Sequence, residues 1–111
     1  MPIRSTSLFA VLAMCFASFP TLAADPSVDV EEGREIFTKK AEPACTVCHT
    51  LADADASGAI GPNLNDLKPS ADRVAAAVKS GIGVMPAFAD SLTADEIATV
   101  SAYVAEVAGK E

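Results

Sequence analysis

Apolar and polar positions divide the 111-residue chain into segments of different character. After the positively charged start Met1–Arg4, the stretch from Leu8 to Phe19 is almost wholly apolar. It is short for a membrane span, which needs about 20 apolar residues. Thr21-Leu22-Ala23 then offers the small residues that a signal peptidase accepts. This pattern predicts a secretory leader over 1–23 and one domain over 24–111. An uncleaved anchor is the weaker reading, and bulky Met14 before Cys15 disfavours a lipid anchor there.

From Asp29 the period changes. Val30, Gly33, Ile36 and Phe37 recur at helical steps, with Glu31 and Glu32 in the first turn and Lys39 and Lys40 in the last, as the helix dipole prefers. Pro43 stops this helix. Ser70 caps a second one, whose face is Val74, Ala75 and Val78 and whose stop is Gly81. The clearest helix is the last. Thr93-Ala94-Asp95-Glu96 is a capping box, and Ile97, Val100, Val104 and Val107 form one stripe beside Tyr103. Between these helices, 53–69 is rich in Gly, Pro and Asn and reads as an irregular loop, and 81–89 reads as a second. Long ordered loops in a small domain usually wrap something functional. No strand-like alternation or internal repeat is present, so the predicted class is all-α: three main helices joined by long loops.

Composition sharpens this picture. The formal net charge is −7, and it becomes −8 once the leader takes away Arg4. Such an acidic surface excludes nucleic acid as a natural partner and disfavours an anionic membrane surface. With no tryptophan and one tyrosine, a domain this small has a marginal apolar core and needs a staple. Beyond the leader, one histidine, one methionine and two cysteines remain: His49, Met85, Cys45 and Cys48.

Cys45-Thr46-Val47-Cys48-His49 has the spacing of a c-type haem attachment sequence. Two thiols three positions apart reach the two vinyl groups of one haem as thioethers, and the adjacent histidine is aimed at the iron. Other readings compete. The cysteines could form a plain disulfide or a redox-active pair, both suited to an oxidising compartment. A redox pair normally sits in a βαβ context, which this chain lacks. Half of a zinc site would need further Cys or His ligands, and none follow the leader. Met85 adds weight to haem. It stands in a Gly-rich loop beside Pro86 rather than on an apolar helix face, where a methionine is ordinary core filler. It is the candidate sixth ligand opposite His49, so the metal set is His49 and Met85.

The order of these pieces resembles the class I c-type cytochromes, in their small bacterial monohaem branch. The likeness runs through Gly33-x-x-Ile36-Phe37, Cys45 to His49, Gly61-Pro62-Asn63-Leu64, Met85-Pro86-Ala87-Phe88, and Leu92 through Val104. It implies a cytochrome c fold wrapped round one covalently attached haem c. It further implies that the Pro62 carbonyl accepts a hydrogen bond from the His49 ring, that Leu64 packs on the haem face, and that Gly33 and Phe37 meet Tyr103 where the first and last helices cross. Here the chain departs from mitochondrial members, which are basic around the haem edge. It also lacks a tryptophan that some members place near a propionate; Arg73 and Lys79 are candidates for that role, although a solvated helix face explains both.

The expected function is a periplasmic electron carrier rather than an enzyme, a monomer without stable membrane association. It would shuttle single electrons between a dehydrogenase, with molybdenum sulfite dehydrogenases among the donors of similar cytochromes, and an oxidase or other acceptor. The alternatives are a haem subunit of one dedicated redox enzyme, an open-site haem sensor, and a haem-free thiol–disulfide protein.

Overall fold

Asp29 begins the first helix by turning its carboxylate back on the chain, where Oδ1 accepts the Glu32 N–H at 2.9 Å. The computed structural model describes residues 28–110; the leader assigned to 1–23 lies outside them. Helix α1 covers Val30–Glu35 and passes directly into a π-helical turn over Ile36–Lys40. The wider turn is closed by the Ala41 N–H on the Ile36 carbonyl at 3.0 Å. Consecutive Ile36 and Phe37 are both buried. Single π turns of this kind concentrate at functional sites.

The loop read from sequence over 53–69, and the residues that lead into it, are more ordered than that. A 3-10 turn covers Cys45–Val47, followed by a two-residue strand β1, Thr50–Leu51. A second 3-10 turn, Ala52–Ala54, reverses the chain into β2, Ala56–Ser57. The strands pair antiparallel, Thr50 with Ser57 and Leu51 with Ala56. Two residues per strand are too few to show alternation in a sequence, which is why the expectation of no strand fails here. Helix α2, Leu64–Leu67, adds a short fourth helix, capped by the Asn63 side chain accepting the Asn65 N–H at 3.0 Å. Helix α3 spans Ala71–Ser80 between Ser70 and Gly81.

Helix α4, Ala94–Val107, carries the full capping box. Thr93 Oγ1 accepts the Glu96 N–H at 3.2 Å, and Glu96 Oε2 accepts the Thr93 N–H at 2.9 Å. Its stripe of Ile97, Val100, Tyr103, Val104 and Val107 is buried against α1 and α3. Each large apolar side chain so buried contributes roughly 1.5–3 kcal/mol. The α1–α4 crossing depends on Gly33, because a Cβ there would stand 2.2 Å from the Tyr103 Cβ. Phe37 meets the Tyr103 ring edge-on, with centroids 6.1 Å apart. Among the described residues, no helix is long and apolar enough to cross a membrane.

Candidate functional site

The π turn, the Cys45–Val47 turn, α2, α3 and the 81–87 loop enclose an apolar cleft. Its inner part has a volume of about 440 Å³, and Arg73 is the one Asp, Glu, Lys or Arg in that wall. Cys45, His49, Pro62, Leu64 and Met85 all line it, with Phe37 and Val104 at its floor. An outer part of about 400 Å³ shares Cys45, His49, Pro62, Ile82 and Met85 and adds Cys48. None of its lining residues is an Asp, Glu, Lys or Arg, although the chain as a whole is strongly acidic. Ile60, Ile82 and Val84 stand exposed at this mouth. Lys79, one of the two propionate candidates, is absent from both linings.

His49 is held at its backbone and at its ring. The Cys45 carbonyl accepts the amides of both Cys48 (3.2 Å) and His49 (3.0 Å), which winds the C-x-x-C-H segment tightly. At the far end of the hairpin's base, the Gly58 N–H donates to the His49 carbonyl at 3.1 Å, and Thr50 Oγ1 donates to the Gly58 carbonyl at 3.0 Å. The Gly61 N–H donates to the Cys48 carbonyl at 2.7 Å. On the ring, Nδ1 lies 2.8 Å from the Pro62 carbonyl oxygen. A carbonyl only accepts, so Nδ1 is the donor here, and in the neutral ring Nε2 is the nitrogen with the free lone pair. This is the usual way in which a ligating histidine has its tautomer fixed.

Two glycines make that arrangement possible. A Cβ at Gly58 would come within 2.7 Å of the Cys48 carbonyl carbon, the His49 nitrogen and the Thr46 oxygen. One at Gly61 would come within 2.7 Å of His49 Cε1. Gly58 entered the sequence reading only as loop composition. Its spacing of nine from His49 had no periodic signature to mark it.

Met85 lines the same cleft from the loop that follows α3. Gly81, with φ of 71°, ends α3 and turns the chain so that Ile82 and Met85 exchange backbone hydrogen bonds of 3.2 and 3.0 Å. A side chain at Gly81 would press on the Met85 carbonyl at 2.7 Å. Past the methionine, the Phe88 N–H returns to the Val78 carbonyl at 2.8 Å, which fastens the loop to α3.

The chemistry of these groups suits a flat, largely apolar ligand bonded to sulfur and nitrogen. Burial pushes the Cys45 thiol up to about 11, so at neutral pH it is a poor thiolate and a poor match for a redox-active pair. No disulfide joins Cys45 to Cys48. Among the described residues, no group of three or more His, Cys, Asp or Glu side chains could hold a bare metal ion, which leaves the zinc reading without ligands.

One cluster escaped the sequence reading. Asp53 Oδ2 accepts hydrogen bonds from Arg34 Nε (2.9 Å), Arg34 Nη2 (2.7 Å) and the Tyr103 hydroxyl (2.7 Å). Burial alone would raise the Asp53 carboxyl, but the Tyr103 and Arg34 bonds outweigh it and hold it below the usual range. The same burial, reinforced by the Asp53 charge, drives the Tyr103 phenol well above its ordinary value.

Comparison with known proteins agrees with this chemistry. Residues 28–104 match the family described as cytochrome c oxidase, cbb3-type, subunit III. The chain is 30% identical over 104 residues to cytochrome c6 of Gloeothece citriformis, covering 90% of this chain and 91% of that protein. It is 31% identical to cytochrome c6 of Leptolyngbya boryana over 86 residues, 74% of this chain and 96% of the other. The crystal structure of the c-type cytochrome SorU from Sinorhizobium meliloti superposes with a TM-score of 0.71 at 57% identity, covering 73% of this chain and 92% of that one. A cleft built around a C-x-x-C-H turn, on a fold shared with these proteins, makes this chain a member of the class I c-type cytochromes: a small monohaem electron carrier with covalently bound haem c.

Proposed function

We propose that this cytochrome is a periplasmic shuttle whose iron is held between His49 and Met85. The observation that carries the reading is the His49 Nδ1–Pro62 bond at 2.8 Å, which leaves Nε2 as the ring nitrogen available to a metal in a cleft that Met85 also lines. Cys45 and Cys48 would bind the haem through thioethers, and the Met85 sulfur would fill the second axial position. The bound group supplies a one-electron Fe(III)/Fe(II) couple. The chain's own residues set its properties. Leu64, Phe37 and Val104 would exclude water, Arg73 in the cleft wall would meet a propionate, and a thioether ligand in an apolar cleft would disfavour the ferric charge. With His49 and Met85 both holding the iron, no open coordination position would be left for a substrate.

The same reading covers export through the leader at 1–23, action as a monomer, and transient docking of a donor dehydrogenase and a downstream oxidase or other acceptor. Redox encounters bury little surface. Molybdenum sulfite dehydrogenases are the first donor class to test, because the resemblance includes cytochromes that serve them.

The test is optical. The ferric wild type is expected to show the weak long-wavelength band of sulfur-to-iron charge transfer, and the reduced protein to ignore carbon monoxide. Met85→Ala is expected to lose that band and bind carbon monoxide. Carbon monoxide binding by the reduced wild type would instead assign an open iron site and overturn the reading.

A further inference from the structure

The Asp53 cluster lies away from the cleft lining, yet it stands at one end of the hairpin whose other end holds His49. The hairpin is short and stiff. Its base is the reciprocal grip between His49, Thr50 and Gly58, and its tip is the 3-10 turn Ala52–Ala54 that carries Asp53. Leu51 on β1 is fully buried, so the hairpin cannot pivot without opening the core. At the tip, one carboxylate oxygen gathers three donors from two other elements: Arg34 on α1 and Tyr103 on α4. Hydrogen bonds to a charged acceptor are stronger than neutral ones, and the Tyr103 side chain is wholly out of solvent.

We infer that Asp53 is a positioning residue for His49: it pins the hairpin tip to the α1–α4 crossing and thereby fixes the backbone from which the imidazole is presented. This rests on the reading of His49 as an iron ligand. Without the pin, the His49 segment is still tethered at Gly58 and Gly61 and Leu51 still holds the strand in the core, but the tip of the hairpin has lost its anchor to α1 and α4 and opens more readily. The Met85 wall is fastened separately, through Ile82, Gly81 and the Phe88–Val78 bond, and does not use Asp53.

The test is hydrogen exchange on the reduced holoprotein, followed by NMR. Three protons are compared: Gly58 N–H, which bonds to the His49 carbonyl; His49 Nδ1–H; and Phe88 N–H on the other wall. In Asp53→Ala, the first two are expected to exchange roughly tenfold faster or more, as loss of bonds to a charged group implies, while Phe88 is unchanged. Asp53→Asn, which keeps an acceptor oxygen, should restore part of the protection. Equal acceleration at Gly58 and Phe88, or none at Gly58, would overturn the inference, because a merely global loss of stability moves every deeply protected proton together. If Asp53→Ala yields no holoprotein, Tyr103→Phe removes one of the three bonds and submits to the same comparison. An Nδ1–H that already exchanges too fast to observe in the wild type counts against His49 ligation, and the Gly58-to-Phe88 ratio still judges Asp53.

Discussion

The two walls of the cleft are built on different principles. The histidine wall is over-determined: a wound turn, a clasped hairpin, two glycines with no room for a Cβ, a carbonyl on the ring and a carboxylate hub behind it. The methionine wall is a loop held by one pair of backbone bonds and the Phe88–Val78 bond, with a single tight glycine, Gly81, at its base and with Ile82 and Val84 at 70% and 89% exposure. On the proposed ligation, the difference teaches which ligand the fold can afford to loosen. A histidine displaced by a fraction of an ångström loses its aim at the iron. A methionine has three rotatable side-chain bonds and adapts to a softer support.

The sharpest way to break the comparison is to put one methyl group on each wall. Gly61→Ala forces a Cβ to within 2.7 Å of His49 Cε1, a contact that cannot form without moving the ring or the Pro62 segment. It is expected to abolish most haem loading, measured as covalently bound haem per milligram of exported protein. Gly83→Ala meets nothing within 4 Å and suffers only from its φ of 57°. It is expected to cost about 1–2 kcal/mol in thermal or denaturant unfolding while loading haem normally. Equal loading in the two variants would erase the distinction between the walls.

A second, smaller effect concerns pH, because the Asp53 cluster behind the histidine wall titrates at both extremes. Asp53 has a lowered folded value, so its stabilisation is fully present above the unfolded carboxylate value of about 3.9 and is lost as pH falls below that toward the folded one. Tyr103 has a raised folded value, so its share is fully present below about pH 10 and is lost as pH rises toward the folded one. Denaturant melts across pH should therefore show a plateau with two shoulders. Asp53→Asn should flatten the acid shoulder and Tyr103→Phe the alkaline one. Shoulders unchanged in both variants would place the titrating groups elsewhere.

The smallest effect serves as the control. Thr93→Ala removes the cap of α4 and is expected to cost about 1 kcal/mol, lowering the melting temperature without changing the ferric spectrum. A spectral change would mean that α4 reaches the walls more directly than its packing implies.

How much of this was legible depended on distance along the chain. Local features were readable. The helix at 94–107 announces itself through Thr93, Glu96 and a stripe of apolar residues, and Cys45 to His49 is contiguous. Pro62 and Leu64 came through resemblance rather than periodicity, and Met85 through its place as the one methionine beyond the leader, in a Gly-rich loop. Asp53, Arg34 and Tyr103 meet across separations of 19 and 50 residues, and an acid, a base and a phenol so far apart are each unremarkable on a surface helix or turn. The π turn was equally hidden, since Ile36-Phe37 fits a helical stripe well enough to mask the extra residue in the turn.

The Gly33–Tyr103 contact has a consequence for how the molecule comes into being. It joins the first described helix to the last, and the core between them cannot close until the end of the chain is available. Contacts of such long sequence separation carry their loop-closure entropy before they return any stability. A nascent or truncated chain lacking 94–107 has no Tyr103 to meet Phe37 and Asp53, and no Val100 or Val104 in the wall of the cleft. Its two cysteines consequently remain open to the solvent and to whatever enzyme must join them to the cofactor, and the last helix to arrive is the one that shuts the door on that chemistry.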